Sequence, residues 1–115
     1  MIQVWTNNKF YLTFWDTLNA SHQLAGTTAI TDTGTWHHLA FVRNGSTITE
    51  YIDGVACGTH NIGALAIYNN TQWGPSWGRM GSYSGETFNG KLDEVRISKG
   101  IARWTSNFTP PTGEY

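Results

Sequence analysis

The C-terminal stretch FNGKLDEVRISKGIARWTSNFTPPTGEY (Phe88–Tyr115) decides the fold. Its first half, Lys91–Ser98, alternates in character from one residue to the next, and this alternation predicts a β-strand. The face that carries Val95 and Ile97 is the apolar one, so we expect it to face the core together with Asp93. A buried carboxylate is costly unless it is hydrogen-bonded, paired or metal-bound. The fold is therefore expected to supply a partner for Asp93.

The rest of the chain has the pattern of an all-β protein. Apolar residues alternate or form short runs between Gly, Asn, Asp and Thr, without helical periodicity. The pairs Asn44-Gly45 and Asp53-Gly54 each predict a type I′ hairpin turn, and Asn7-Asn8 predicts a third turn. Gly and Pro residues predict a loop over most of Gly63–Gly85. Strands are predicted at Ile2–Thr6, Lys9–Trp15, Trp36–Arg43, Thr47–Ile52, Val55–Thr59, Trp77–Gly81 and Glu86–Ser98.

Three separated motifs together resemble a known family. The first is Thr35–Arg43, which contains Trp-His-His; the second is Tyr51–Val55, which contains Asp-Gly; the third is the C-terminal stretch. In this order they resemble the laminin-G-like branch of the concanavalin A-like lectin/glucanase superfamily, over residues 35–115. The tail is most similar to copies in phage virion and bacterial surface proteins. The matching residues are Trp36, His38, Asp53, Gly54, Phe88, Gly90, Asp93, Glu94, Val95, Arg96, Ile97, Ala102, Arg103, Trp104, Phe108, Pro110 and Pro111.

The resemblance implies a single domain, residues 1–115, with a concanavalin A-like jelly-roll β-sandwich of two antiparallel sheets. Family members carry opening strands before the Trp-His strand, and here only Met1–Gly34 can provide them. The domain is then a minimal sandwich, an N-terminally incomplete one, or one that a second copy completes. Because an incomplete sandwich exposes strand edges and an apolar face, we expect a homo-oligomer.

The amino-acid composition limits the classes of partner that the chain is expected to bind. With 39% hydrophobic and 14% aromatic residues the chain can form a core, and its net charge is −1 with 13% charged residues. No basic stripe is present, so nucleic acid is not an expected partner. No apolar run approaches the ~20 residues that span a bilayer. The single Cys57 is expected to be a small packing residue. The resemblance implies an extracellular, virion or cell-surface location.

The predicted loop offers a candidate carbohydrate site. Flat aromatic rings stack on sugar rings, and amide side chains hydrogen-bond to sugar hydroxyls. The alternative is that the indoles fill the open end of the sandwich, since Trp is usually well buried. Trp5, Trp15, Trp36 and Trp104 are expected in the core, with an oligomer interface as the alternative for Trp5 and Trp15. The candidate ligand-binding residues are Tyr68, Asn70, Gln72, Trp73 and Trp77.

The sequence predicts no enzyme. Glycosidases of the superfamily place carboxylates at Glu-x-Asp-x-Glu on one strand face, and this triplet is absent. His37 and His38 are adjacent on a strand and cannot chelate one ion together. Asp93 either anchors the tail by hydrogen bonds or contributes to a calcium site of the kind the superfamily uses. The leading function is recognition of carbohydrate or another surface ligand; the alternative is a structural module that assembles with copies of itself.

Overall fold

The computed structural model describes residues 1–68, 78 and 87–113, and within them the chain forms six β-strands and no helix. The strands pair into two antiparallel three-stranded sheets, in the orders β1-β2-β3 and β4-β5-β6. We call them the N-terminal sheet and the central sheet. The predicted all-β sandwich is confirmed. The strands are β1 (Ile2–Val4), β2 (Lys9–Trp15), β3 (Ser21–Ala29), β4 (Leu39–Asn44), β5 (Thr47–Ile52) and β6 (Val55–Asn61).

The core lies where the inner faces of the two sheets meet. Phe14 of β2 packs with Ile48 of β5 and with Ile62, and all three are buried. The rings of Phe10 and Phe41 lie 4.3 Å apart between centroids and join the sheets a few residues away. Burying one such side chain is worth about 1.5–3 kcal/mol relative to leaving it in water. Partly buried side chains around this cluster are Leu12, Leu24, Phe41 and Leu65.

The edge strands β3 and β6 approach each other closely because both carry glycine at the crossing. A Cβ atom on Gly58 would lie 3.2 Å from the Cα atom of Gly26. Beside this contact the Thr27 hydroxyl donates to the carbonyl oxygen of Cys57 at 2.8 Å. Cys57 is buried, as expected of a packing residue, and its burial raises the pKa of the thiol.

Two of the three turns predicted from the sequence are confirmed by the structure. Asp53 and Gly54 both have positive φ, 51° and 78°, as a type I′ turn requires. Asn8 has a φ of 58° in the turn between β1 and β2. The type I′ prediction for Asn44-Gly45 is wrong, because Asn44 is the last paired residue of β4 and only Gly45 has positive φ, 59°. A turn whose first central residue is Gly needs only that one positive φ.

The strand predictions for the N-terminal half were accurate at two strands and missed one. Lys9–Trp15 and Thr47–Ile52 are confirmed at both ends. Strand β3 was missed because SHQLAGTTA contains no Val, Ile or aromatic residue. Its extended conformation comes from pairing with β2, which is tertiary information. The first strand ends at Val4, and β6 continues to Asn61. The predicted strand Trp77–Gly81 lies outside the described residues apart from Gly78.

The predicted C-terminal strand Glu86–Ser98 is wrong for the residues that the structure describes. Within 87–98 only Thr87 makes an isolated β-bridge. Glu94 has a φ of 50°, a left-handed conformation that interrupts an extended strand. Asp93 is exposed, and its Oδ1 accepts a hydrogen bond from the Glu94 amide at 2.9 Å. The expectation of a buried Asp93 is therefore also wrong.

The last part of the tail covers the outer face of the central sheet. The rings of Trp104 and Phe108 stack with centroids 4.0 Å apart and planes 5° apart. Phe108 meets the buried Tyr51 edge-on at 5.3 Å, and its amide donates to the Gly54 carbonyl oxygen at 2.9 Å. The tail therefore covers part of the outer face of the central sheet, whereas Trp5 and Trp15 of the N-terminal sheet are exposed.

Candidate ligand-binding surface

The outer face of the N-terminal sheet carries every second side chain of β2. Phe10, Leu12 and Phe14 point inward, so the intervening residues Tyr11, Thr13 and Trp15 belong to the outer face. Register places Gln3 of β1 opposite Tyr11 and Gln23 of β3 opposite Thr13. Directly paired residues share a face. The sheet therefore carries aromatic rings with neutral polar side chains between them, of which Gln23 is exposed, Gln3 is half-buried and Thr13 is buried.

Two of the three aromatic side chains of this face are exposed, and Tyr11 is half-buried. Trp5 is 45% exposed and Trp15 is 40% exposed. Trp5 stacks on Tyr11 with centroids 5.0 Å apart and planes 28° apart. The Asn7 side-chain amide donates to the Tyr11 hydroxyl at 2.8 Å and fixes that end of the ring. We call the set Trp5, Tyr11 and Trp15, with Gln3, Thr13 and Gln23, the aromatic face.

Tyr68, one of the predicted ligand-binding residues, lies at the Trp15 end of this face. Ile67 forms an antiparallel bridge with Asp16, and the Tyr68 amide donates to the Trp15 carbonyl oxygen at 2.7 Å. This register sets Tyr68 opposite Trp15, and Tyr68 is 50% exposed. The structure thus places Tyr68, a predicted ligand-binding residue, next to Trp15, which was expected in the core or at an oligomer interface. The other predicted residues, Asn70, Gln72, Trp73 and Trp77, lie outside the described residues.

The prediction of buried tryptophans fails at three positions. Trp5 and Trp15 are on the aromatic face, and Trp36 is 64% exposed ahead of β4. Of the four tryptophans predicted in the core, Trp104 is half-buried, and its ring stacks on Phe108. The alternation that buries Phe14 requires Trp15 to face outward, so the pattern of β2 contained the information needed to place it.

Asp16 organises the turn that follows the aromatic face. Its Oδ1 accepts hydrogen bonds from the amides of Leu18 at 2.8 Å and Ala20 at 2.9 Å. Its Oδ2 lies 2.9 Å from Nε2 of His22. The His22 contact first, and then the backbone amides, hold the pKa of the Asp16 carboxyl below its ordinary value. Asp16 therefore fixes the β2–β3 connection.

Asp53 fixes the start of β4 in the same manner. Its Oδ1 accepts a hydrogen bond from the His38 amide at 2.8 Å, and its Oδ2 lies 2.8 Å from Nδ1 of His37. Partial burial acts to raise the pKa of Asp53, but these contacts outweigh it and hold that pKa low. The contact with Asp53 raises the pKa of His37. The His38 amide thus donates to a side chain and not to a backbone carbonyl, and β4 begins at Leu39 and not at the predicted Trp36.

Glu50 is the most deeply buried acid of the described residues, with no exposed surface. Its Oε1 lies 2.8 Å from Nε2 of His60. A Cβ atom on Gly26 would come within 3.0 Å of its other oxygen and within 2.9 Å of the Cys57 sulfur. Burial raises the pKa of Glu50, against the opposing effect of His60. This carboxyl joins the two sheets from inside and has no surface from which a substrate would reach it.

The described residues contain no group of three or more His, Cys, Asp or Glu side chains arranged to hold a metal ion. The role of Asp93 in calcium binding stays a prediction, now for an exposed carboxylate. A pocket of 380 Å³ lies beside the β2–β3 turn and is lined by Leu18, Ile62 and Leu65 among others. Asp16 also lines it, but the oxygens of Asp16 are already hydrogen-bonded. The aromatic face is therefore the stronger candidate for ligand binding.

The sequence matches a model of a known protein family. A family model described as the concanavalin A-like lectin/glucanases superfamily, laminin G type, matches residues 1–103. The chain belongs to this family, and the resemblance expected from the sequence is confirmed, although the match covers residues 1–103 and not the expected 35–115. The membership fits a carbohydrate-binding β-sandwich. Curated proteins and solved structures gave no match. None of the described segments forms a helix of the length and apolarity that crossing a membrane requires.

Proposed function

We propose that this chain is a non-catalytic carbohydrate-binding module and that the aromatic face is its binding surface. The observation that carries the proposal is the exposure of Trp5 and Trp15 on one sheet face, 45% and 40%, with amide side chains between them. Exposed aromatic rings with one apolar surface and nearby polar groups favour ligands that are themselves amphipathic. A pyranose ring, with apolar C–H faces and a rim of hydroxyl groups, has this character.

A binding role without catalysis agrees with the placement of the acids. Asp16, Glu50 and Asp53 are each held by a histidine at 2.8–2.9 Å. Glu50 is inside the sandwich, and Asp16 is committed to a turn. General acid–base hydrolysis of a glycoside needs two carboxyl groups facing the same bond. The strand positions of the aromatic face carry no carboxylate at all.

A glycan array tests the proposal. The wild-type chain should bind a subset of neutral glycans, and a Tyr11→Ala/Trp15→Ala variant should lose that binding while retaining its thermal unfolding transition. Trp36→Ala is the matched control, because Trp36 is an exposed indole outside the aromatic face. Absence of binding to every glycan by the wild type, or equal binding by the double variant, would overturn the proposal.

The proposal extends to location through the tail, whose sequence resembles phage virion and bacterial surface copies of the domain. We propose that the module belongs to a virion or cell-surface protein, where it would meet glycans. Antibody labelling of intact particles or cells tests this, and label found only after they are broken open would contradict it.

A second candidate function is assembly with copies of the same chain. The observation that favours it is the exposure of large apolar side chains in the tail: Leu92 at 53%, Val95 at 50% and Ile97 at 75%. Exposed apolar surface of this kind is often covered by a partner. Light scattering coupled to size-exclusion chromatography distinguishes the two functions. A stable oligomer that Ile97→Ser dissociates, with no glycan bound, would favour assembly.

A further inference from the structure

The two aromatic ends of the face are too far apart to contact one sugar ring. Trp15 and Tyr11 are four residues apart on β2, which corresponds to about 14 Å at the rise of an antiparallel strand. Trp5 lies farther along, since its amide donates to the carbonyl oxygen of Lys9 at 3.1 Å and its ring stacks on Tyr11. This separation exceeds the span of a single pyranose ring. A ligand that contacts both ends must contain several sugar units.

Between the two ends, Gln23 of β3 offers an exposed side-chain amide. Its strand partner Thr13 lies midway along β2 but is buried, 7% exposed, with its hydroxyl 3.5 Å from the Gln23 amide. Gln23 is exposed, so its amide has donors and an acceptor left for a ligand. Gln3 lies opposite Tyr11 on the other side of β2, where it is half-buried and its Oε1 atom is buried. The exposed polar group between Trp15 and Trp5 is therefore the Gln23 amide, on the β3 side of β2.

The small number of charges on the aromatic face favours neutral glycans over charged ones. Among the outward strand positions of the N-terminal sheet, Lys9, at the Trp5 end, is the charged residue; the others are Gln3, Tyr11, Thr13, Trp15, Ser21, Gln23, Ala25 and Ala29. The N-terminal ammonium group of Met1 donates to the Thr13 carbonyl oxygen and adds a second positive charge beside them. An acidic polysaccharide would require a run of Arg or Lys side chains for its repeated carboxylates or sulfates. The face has no such run, and it has no acid to complement a cationic polymer.

We propose that the aromatic face binds a neutral polysaccharide as an extended chain lying along β2, with one end on Trp15 and the other on the Trp5–Tyr11 stack. The inference rests on the proposed function and makes it more specific: the ligand is an internal stretch of a polymer, not a terminal sugar. Tyr68, set opposite Trp15 by register, widens the platform at that end.

Titration calorimetry with neutral gluco-oligosaccharides and xylo-oligosaccharides, from monosaccharide to hexasaccharide, tests the inference. Affinity should rise with length until the ligand spans both ends and then stay constant. Trp15→Ala should weaken the hexasaccharide about tenfold, as expected for loss of one large aromatic contact, and should leave disaccharide binding at the other end unchanged. Trp36→Ala should match the wild type.

The outcomes separate the inference from the proposed function. A monosaccharide bound as tightly as a hexasaccharide would overturn the extended-chain inference and leave glycan binding standing. Stronger binding of a polyuronate than of any neutral oligomer would overturn the neutral-ligand part. If no saccharide binds and Trp15→Ala instead lowers the oligomer mass, the occupant is a second copy of the chain, and both proposals are wrong.

Discussion

Gly54→Ala should release the C-terminal tail from the central sheet. Gly54 has a φ of 78°, and a Cβ atom there would lie 1.9 Å from the carbonyl oxygen of Phe108 and 2.9 Å from its carbonyl carbon. Because the obstacle is backbone, no side-chain rotation relieves it, and the tail itself must move. Gly45→Ala is the matched control: its φ is 59°, but a Cβ atom there meets nothing within 4 Å.

The expected magnitudes follow from these two geometries. Both substitutions place alanine in the left-handed region, which is unfavourable by about 1–2 kcal/mol. Gly54→Ala also breaks the hydrogen bond from the Phe108 amide, worth about 0.5–1.5 kcal/mol. It disturbs the ring contact of Phe108 with Tyr51 as well, worth about as much again. We therefore expect Gly54→Ala to lower the free energy of unfolding by about 1–3 kcal/mol more than Gly45→Ala does.

Urea unfolding of the two variants in parallel measures the difference. Limited trypsin digestion gives a second readout, since the bond after Arg103 should be cut faster in Gly54→Ala than in Gly45→Ala. Equal destabilisation by the two substitutions, with equal cleavage at Arg103, would refute the docking of the tail on the Asp53-Gly54 hairpin.

Three further predictions concern the acids and their histidines. Asp16→Ala should lower the Tm by several degrees because it removes the acceptor of two backbone amides, whereas exposed Asp93→Ala should leave the Tm unchanged; equal effects in differential scanning calorimetry would contradict this placement. Burial raises the pKa of Glu50, so the folded state binds its proton more tightly than the unfolded chain, and wild-type stability falls as pH rises through that raised pKa. Glu50→Gln should therefore need more urea than the wild type at high pH and converge with it toward pH ~4.3, the unfolded value; a difference independent of pH would show that the charge is fully compensated. Asp53 raises the pKa of His37, so the stability that this contact gives is present below the pKa of His37 in the unfolded chain, near ~6.5, and is lost as pH rises through the pKa in the folded state. His37→Gln should therefore unfold at a lower urea concentration than the wild type at pH ~6, and at the same concentration by pH ~9. A lower urea midpoint that persists at pH ~9 would contradict the ion pair.

The parts of the fold that the sequence predicted are those where local pattern and tertiary structure agree. In Lys9–Trp15 the alternation of inward Phe and outward polar or aromatic residues matches the strand found. Asp53-Gly54 forms the predicted turn because both residues accept positive φ readily. Strand β3 could not be found in this way, since SHQLAGTTA has weak β-propensity and is extended because β2 pairs with it.

The C-terminal stretch shows the opposite case. Its motif correctly identified the family, but its alternation did not produce a strand in the described residues, because Glu94 adopts a left-handed conformation. The alternation predicts that Asp93 points inward, whereas Asp93 is exposed. The C-terminal motif therefore identifies the family, but it does not determine the local backbone conformation of its central residues.

The candidate site was predictable in chemistry more than in position. Tyr68 was identified, and it lies beside Trp15. Trp5 and Trp15 were expected in the core because indoles are usually buried, although the burial of Phe14 already required Trp15 to face outward. The stacking of Trp5 on Tyr11 depends on the pairing of β1 with β2, which sequence periodicity does not reveal.

The most direct test of the central claim is to map the ligand contact by nuclear magnetic resonance. A neutral hexasaccharide that binds in calorimetry is titrated into the ¹⁵N-labelled chain, and shifts of backbone amides and indole N–H groups are followed. If the aromatic face binds the hexasaccharide, the largest changes should occur at the indoles of Trp5 and Trp15 and along Tyr11–Trp15, with the indole signal of Trp36 unchanged. Changes confined to the central sheet, with the Trp5 and Trp15 indoles unaffected, would contradict it.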